Sequence, residues 1–553
     1  MEAPAPHPAG AELPIRRWTA AALAALCVLT LLVKLAVNEA RTGLNHGDVS
    51  FYYTVAKNLA EGRGFVIDYI WNFWDHPEGI PTPSNTWWMP LPSILCAIGM
   101  KLFGIRFAVA QDTMIVVTSV LPLVVYLLGR ELVGGRLVPL LAAALASSFH
   151  LFLDQPCAPL SHGPYLVLAT TTFWLALRAA RTGRGWAFAG AAVAATQLTR
   201  SDGMLLFVAL GVAFLAVSPR SRPPWWRVAL SAAGGYVLVM SPWWAHNLWV
   251  FGTLQPGGSL RALWLTEYEQ WYSLPESVTR QSWLANGWEP VLALKRSVAA
   301  RNIESLATGL VTGSAARTEG WGSPALVTTL ALAWLGVLLA CLRRATRRPL
   351  LPLAGHAALE WAFYSLAFTA VGPESFRTGM FSLYPALLLY VALGLVATLG
   401  LLARLLRQPA ARAQRLVGVS AAVVTAWIML GQFTAARETM RDKVIGINQI
   451  NRFYDTFREQ ILPRLGADPV IMARDVHELH ALTGVRCVQI PYEDLPAIRA
   501  TAQRFGVTHL LLLGDPADPP RRALRDVDSF PWCEEVFAGR RAGWDLRVYR
   551  ITP

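Results

Sequence analysis

The densest run of chemically capable residues lies between positions 39 and 106. His46-Gly47-Asp48-Val49-Ser50-Phe51-Tyr52-Tyr53 leads into Asn58-Leu59-Ala60-Glu61-Gly62-Arg63-Gly64. Asp75-His76-Pro77-Glu78-Gly79 and Trp87-Trp88-Met89-Pro90-Leu91 follow. A single carboxylate such as Asp48 has the chemistry of a general base toward a hydroxyl. It also has a structural reading. Tyr52, Val55, Ala56 and Leu59 recur at helical spacing and Gly62 suits the helix end, which makes Asp48 the N-cap. The two roles are compatible, because a capping carboxylate is held rigid. Asp75, His76 and Glu78 are metal-ligand types, but a solvated turn before Pro77 and Gly79 accounts for them as well.

Other candidates are spread along the chain. Asp154, in His150-Leu151-Phe152-Leu153-Asp154-Gln155-Pro156, ends an apolar run. Arg200, His246 and Arg377 fall at the ends of apolar segments, where they can grip a phosphate or reach lipid headgroups. Lys57 sits on the helix that Asp48 opens. His356 and Glu360 are four apart within an apolar segment, which fits either a proton-coupled function or a hydrogen-bonded structural pair.

What must position these groups is a membrane. The chain has 553 residues, 54% hydrophobic and 15% charged, where a soluble domain carries roughly 25% charged residues. Apolar runs long enough to span recur between residues 19 and 434. Eleven spans are expected, near 19–38, 107–129, 137–152, 162–180, 186–199, 203–218, 228–246, 323–342, 350–371, 379–403 and 416–434. No small-residue cleavage site follows the first of them, so it is kept as a span. The segment 87–104 is apolar too, but Pro90, Pro92 and the paired tryptophans suit a helix lying in the interface.

The net charge of +13 is not a nucleic-acid signal. Eighteen arginines cluster in the short connections, as in Arg343, Arg344, Arg347 and Arg348, and place those connections inside. Two large loops then lie outside, at 39–106 and 247–322. The second holds Trp249, Trp264, Trp271, Trp283 and Trp288, which suit interfacial anchoring or sugar stacking. Residues 1–434 form the membrane domain. Residues 435–553 have an ordinary soluble composition, with strand-like and helical stretches alternating, and are expected to fold as a small α/β domain on the outer face. The fold class is therefore mainly α, a polytopic helix bundle with a soluble α/β appendage. None of the six cysteines has metal-ligand spacing, and Cys487 and Cys533 are left open as a disulfide.

Several motifs together resemble the type C glycosyltransferases, polytopic enzymes that use polyprenyl-phosphate-linked sugars. The similarity is to bacterial relatives of the protein O-mannosyltransferases and the lipid A aminoarabinose transferase. The motifs are Gly47-Asp48 with its aromatic helix, Leu198-Thr199-Arg200-Ser201-Asp202-Gly203, Ser241-Pro242-Trp243-Trp244-Ala245-His246-Asn247, and Phe376-Arg377 ahead of Leu383-Tyr384-Pro385-Ala386.

The resemblance implies transfer of one sugar from a polyprenyl phosphate to a glycan, lipid or protein acceptor on the outer side of a bacterial cytoplasmic membrane. It implies Asp48 and Asp154 as catalytic acids, and Arg377, His246, Arg200 and Lys57 on the donor phosphate. A divalent cation, Mg or Mn, would sit on Asp48, Asp154 and Glu78. Two departures bear on this: Val49 stands where many relatives have a second acid, and His246 where many have arginine. A transporter or flippase for lipid-linked glycans is the alternative reading, which the clustering of acids in the loops disfavours.

Overall fold

The computed structural model describes residues 17–41, 43–44, 47–217, 222–256, 258–309, 324–370, 373–514, 521–541 and 544–552. His46 and residues 310–322 of the second loop lie outside these residues. The membrane part is built from α1 (Arg17–Asn38), α2 (Gly47–Ala60), α3 (Leu91–Phe103), α4 (Phe107–Thr118), α5 (Leu121–Leu132) and α6 (Leu137–Ser148). It continues with α7 (His162–Thr182), α8 (Trp186–Gln197), α9 (Leu206–Ala216) and α10 (Trp225–Phe251). Past the second loop, with its α11 (Arg280–Ala285) and α12 (Trp288–Thr308), come α13 (Pro324–Leu342), α14 (Arg344–Ala362), α15 (Pro373–Gly379), α16 (Tyr384–Leu405) and α17 (Ala410–Thr456).

Every expected span falls on helix, but the count of eleven is not confirmed. Among the described residues six helical stretches are long and apolar enough to cross a membrane, or seven if α6 and the bent segment after it are one span. The reason lies in length and charge. The segments expected at 186–199 and 203–218 fold as helices of 12 and 11 residues, about 18 Å each against a hydrocarbon core of about 30 Å. The helix α14 begins with Arg344, Arg347 and Arg348. The in-plane candidate 87–104 becomes α3, 13 residues long, again too short to span alone.

Small residues allow a close helix contact between α8 and α10. A methyl added at Gly190 of α8 would come within 1.9 Å of the Ala232 carbonyl oxygen in α10, and one at Gly235 within 1.9 Å of that of Ala187. Backbones approach this closely in membrane bundles only where Cβ is absent.

The second layer is a six-stranded sheet. In chain order its strands are β2 (Tyr69–Ile70), β4 (Val470–Ala473), β5 (Arg486–Gln489), β6 (His509–Leu513), β7 (Cys533–Arg541) and β8 (Trp544–Ile551). The two-residue β1 (Val66–Ile67) and β3 (Thr82–Pro83) pair with each other elsewhere in the first loop. The sheet order is β2-β5-β4-β6-β8-β7, parallel from β2 to β6 and antiparallel beyond. Helices α18 (Val476–Thr483) and α19 (Leu495–Arg504) connect the parallel strands, as parallel pairing requires.

Two features tie this lobe to the bundle. The edge strand β2 comes from the first loop, and α17 runs unbroken from 410 to 456, so the expected boundary at 434/435 falls inside a helix. All six cysteines are free thiols. Cys487 and Cys533 sit on β5 and β7, four strand positions apart, about 19 Å at the usual strand spacing and far beyond disulfide reach.

Candidate functional site

Asp48 is the second residue of α2, so it lies in the first turn, two places inside the cap position expected for it. There its charge still favours the helix N-terminus. The face formed by Val49, Tyr52, Val55 and Ala56 is buried, so the apolar spacing fixes which way the helix rolls and leaves Asp48 partly accessible. Its carboxylate is close enough to three other groups to alter their titration. Tyr52, one turn along, and Tyr268, from the second loop, hold their phenolic protons more tightly, first through burial and then through Asp48. Glu478 on α18 is pushed up to about 8, first by burial, then by Asp475, and further by Asp48.

The C-terminal lobe is therefore part of this site. Its α18 packs against the start of α2, where a methyl on Gly47 would meet the His477 ring at 3.2 Å. His477 is walled by aromatics, with ring centroids at 5.1 Å from Tyr69, 5.3 Å from Trp88 and 5.6 Å from Trp71, and its Nδ1 is 3.0 Å from the Tyr69 hydroxyl. The second loop closes the other side. Trp74 stacks on Trp271 at 5.1 Å and donates from Nε1 to the Ser273 carbonyl at 2.9 Å. Ser273 in turn donates to the Tyr492 carbonyl at 3.1 Å. The second-loop tryptophans thus divide: Trp271 is packed, whereas Trp249 and Trp288 are exposed, as anchors would be.

The other acids and cations fall elsewhere. The Asp154 carboxylate is held between Arg41 and Lys443, with the Arg41 side chain buried. Glu78 and His76 are exposed on a loop, as in the solvated turn. Among the described residues no three His, Cys, Asp or Glu side chains come together to hold a metal. Asp48, Asp154 and Glu78 are thus not assembled as the expected cation site, since Asp154 is taken by two cations and Glu78 faces solvent.

Arg200 is engaged with Asp202, Nη2 to Oδ2 at 2.7 Å, and donates to the Tyr364 hydroxyl at 3.1 Å. His246 stacks on Trp243 at 4.9 Å and tilts against Phe65 at 5.0 Å. Lys57 is exposed at the last turn of α2. Arg377 is half-buried on α15, one residue before Thr378, whose hydroxyl lies 3.2 Å from His162 Nε2. His356 and Glu360 are fully buried and hydrogen-bonded within the bundle.

Sequence reasoning missed Tyr268 and Glu478. The run Asp475-Val476-His477-Glu478-Leu479-His480 is dense in titratable groups, but nothing in it says that it folds back onto residue 47.

Residues 75–249 match the sequence family described as dolichyl-phosphate-mannose-protein mannosyltransferase. No curated protein matches the chain. Among solved structures, ArnT from Cupriavidus metallidurans bound to undecaprenyl phosphate aligns with a TM-score of 0.57 at 14% identity, over 96% of this chain and 98% of that one. The apo oligosaccharyltransferase from Archaeoglobus fulgidus aligns with a TM-score of 0.58 at 13% identity, over 91% of this chain and 70% of that one. The chain has the type C glycosyltransferase fold. The alignment with ArnT runs nearly end to end, so it takes in the sheet lobe as well as the helices. At these identities the likeness establishes the fold, and residue roles rest on the geometry above.

Proposed function

We propose that the protein is an integral membrane glycosyltransferase that moves one sugar from a polyprenyl-phosphate donor to an acceptor. The acceptor is a glycan, a lipid or a protein presented on the outer face of a bacterial cytoplasmic membrane. The observation that carries this reading is the convergence of the first loop, the second loop and the C-terminal lobe on Asp48, in a fold also seen with undecaprenyl phosphate bound.

Asp48 takes the proton of the acceptor hydroxyl as its oxygen attacks the anomeric carbon. The bond from that carbon to the phosphate oxygen breaks, and the lipid phosphate leaves with the electron pair. Arg377 holds this phosphate, because a guanidinium matches phosphate oxygens in geometry. His246 adds a further contact. Lys57 and the Arg200–Asp202 pair shape the field around it, and Asp154 acts by fixing Arg41 and Lys443.

The test is to incubate the purified protein with a panel of polyprenyl-phosphate sugars and candidate acceptors. Glycosylated acceptor together with free polyprenyl phosphate is expected. Movement of lipid-linked sugar across proteoliposomes without transfer would replace this reading with that of a flippase.

A further inference from the structure

His356 and Glu360 stand one turn apart on α14, both fully buried, and the proposed chemistry does not use them. His356 Nε2 lies 3.0 Å from the Ser382 hydroxyl and 3.4 Å from Glu360 Oε1. Ser382 donates its own proton to the Gly379 carbonyl at 2.8 Å, so it can only accept from His356. The tautomer with a proton on Nε2 follows. Tyr165 of α7 donates to Glu360 Oε1 at 3.4 Å. Among the described residues the other carboxyl oxygen, Oε2, has no hydrogen-bond partner, and a methyl on Gly379 would come within 2.8 Å of it.

An ionised Glu360 would therefore place charge on a buried oxygen with no donor and no permanent cation in contact, which is costly by several kcal/mol. A proton on Oε2 removes that charge. The charged and titratable groups facing the pair are few. The same Tyr165 ring lies under the Arg200 guanidinium at 5.4 Å, and Arg200 is tied to Asp202 and Tyr364. Tyr364 donates to Asp202 Oδ2 at 2.6 Å. On the remaining side is α15, which carries Arg377 two residues before Gly379.

We infer that Glu360, backed by His356, is a proton-binding positioning residue whose ionisation weakens the hold on the donor phosphate through Tyr165–Arg200 and through α15. Protonated, the pair is neutral and adds no negative charge near Arg200 and α15. When the Oε2 proton leaves for solvent at high pH, a negative charge appears one side chain away from Arg200 and next to the helix that bears Arg377. The inference rests on the proposed donor site. It also has a clean readout, because a phosphodiester-linked sugar donor keeps a single charge throughout the accessible pH range.

The experiment measures binding of a polyprenyl-phosphate sugar, without acceptor, to the full-length protein in detergent from pH 6 to pH 9. The parent should lose about tenfold in affinity toward high pH, the order expected for one charge acting over roughly 10 Å at an effective dielectric constant of about 20. Glu360→Gln should bind as tightly as the parent at pH 6 and show no loss at pH 9. If Glu360→Gln does not fold, Tyr165→Phe replaces it. That variant keeps the ring under Arg200 but removes the donor to Oε1, so the midpoint of the profile should move to higher pH. A Glu360→Gln profile parallel to the parent's, or an unmoved midpoint in Tyr165→Phe, reduces the pair to a structural contact. A parent that binds no donor at any pH overturns this inference and the transferase reading together.

Discussion

Asp48 and Asp154 are the same residue type, both at the edges of apolar helices, and the fold gives them opposite surroundings. Asp154 is enclosed by Arg41 and Lys443, so its charge is spent inside the protein. Asp48 is partly accessible, faces Tyr52 and Tyr268, and shares its neighbourhood with a second carboxyl group that it helps to keep protonated. A carboxylate neutralised by two cations is a poor base and a good strut. One that is partly accessible, beside hydroxyls and another acid, stands where a substrate can reach it. The partners decide the chemistry, and the residue type alone does not.

This contrast can be broken most severely at the strut. Asp154→Ala leaves the buried Arg41 without its carboxylate, and removing one partner of a buried ion pair costs about 3–5 kcal/mol. Thermal unfolding in detergent should show a large drop in midpoint, and an unchanged midpoint would mean that the triad is dispensable. Asp48→Asn should do the reverse. The midpoint should move little, since asparagine forfeits only a helix-end charge effect of about 0.3–1 kcal/mol. Transfer should fall by roughly 100-fold or more, the scale of a lost general base. Near-normal turnover would make Asp48 another structural acid.

Arg377→Ala comes next. Losing a charge-assisted hydrogen bond costs about 1.5–3 kcal/mol, so the KM for the donor should rise by about tenfold or more with little change in thermal midpoint. An unaltered KM would return Arg377 to headgroup anchoring.

The probe that reads through pH is Glu478→Gln. Folding raises this carboxyl from its ordinary value of 4.5 to about 8, chiefly by burial and then through Asp475. The folded state thus binds the proton more tightly than the unfolded one. The stability this gives is full below pH 4.5 and is lost as pH climbs through about 8. Glutamine cannot ionise, so the variant should gain on the parent between pH 5 and pH 9 in paired unfolding curves. Parallel curves would mean that folding does not raise this carboxyl.

Much of this protein was legible in its sequence. The apolar runs located most helices of the bundle, the helical spacing of Tyr52, Val55 and Ala56 identified α2, and the alternation of strands and helices after residue 470 indicated an α/β lobe. These are local properties, set by burial of one face at a fixed period. The number of crossings was harder to read, because composition marks an apolar helix without saying whether a 12-residue one such as α8 traverses the membrane or stops partway.

Partnership was beyond the sequence altogether. Nothing near residue 154 announces Lys443, 289 positions away. No spacing rule brings β2 of the first loop to the edge of a sheet whose nearest strand lies more than 400 residues on. Helix and strand follow from neighbours along the chain. The charge a carboxylate feels follows from whichever groups packing brings against it, and only the tertiary structure made that choice for Asp48, Asp154 and Glu478.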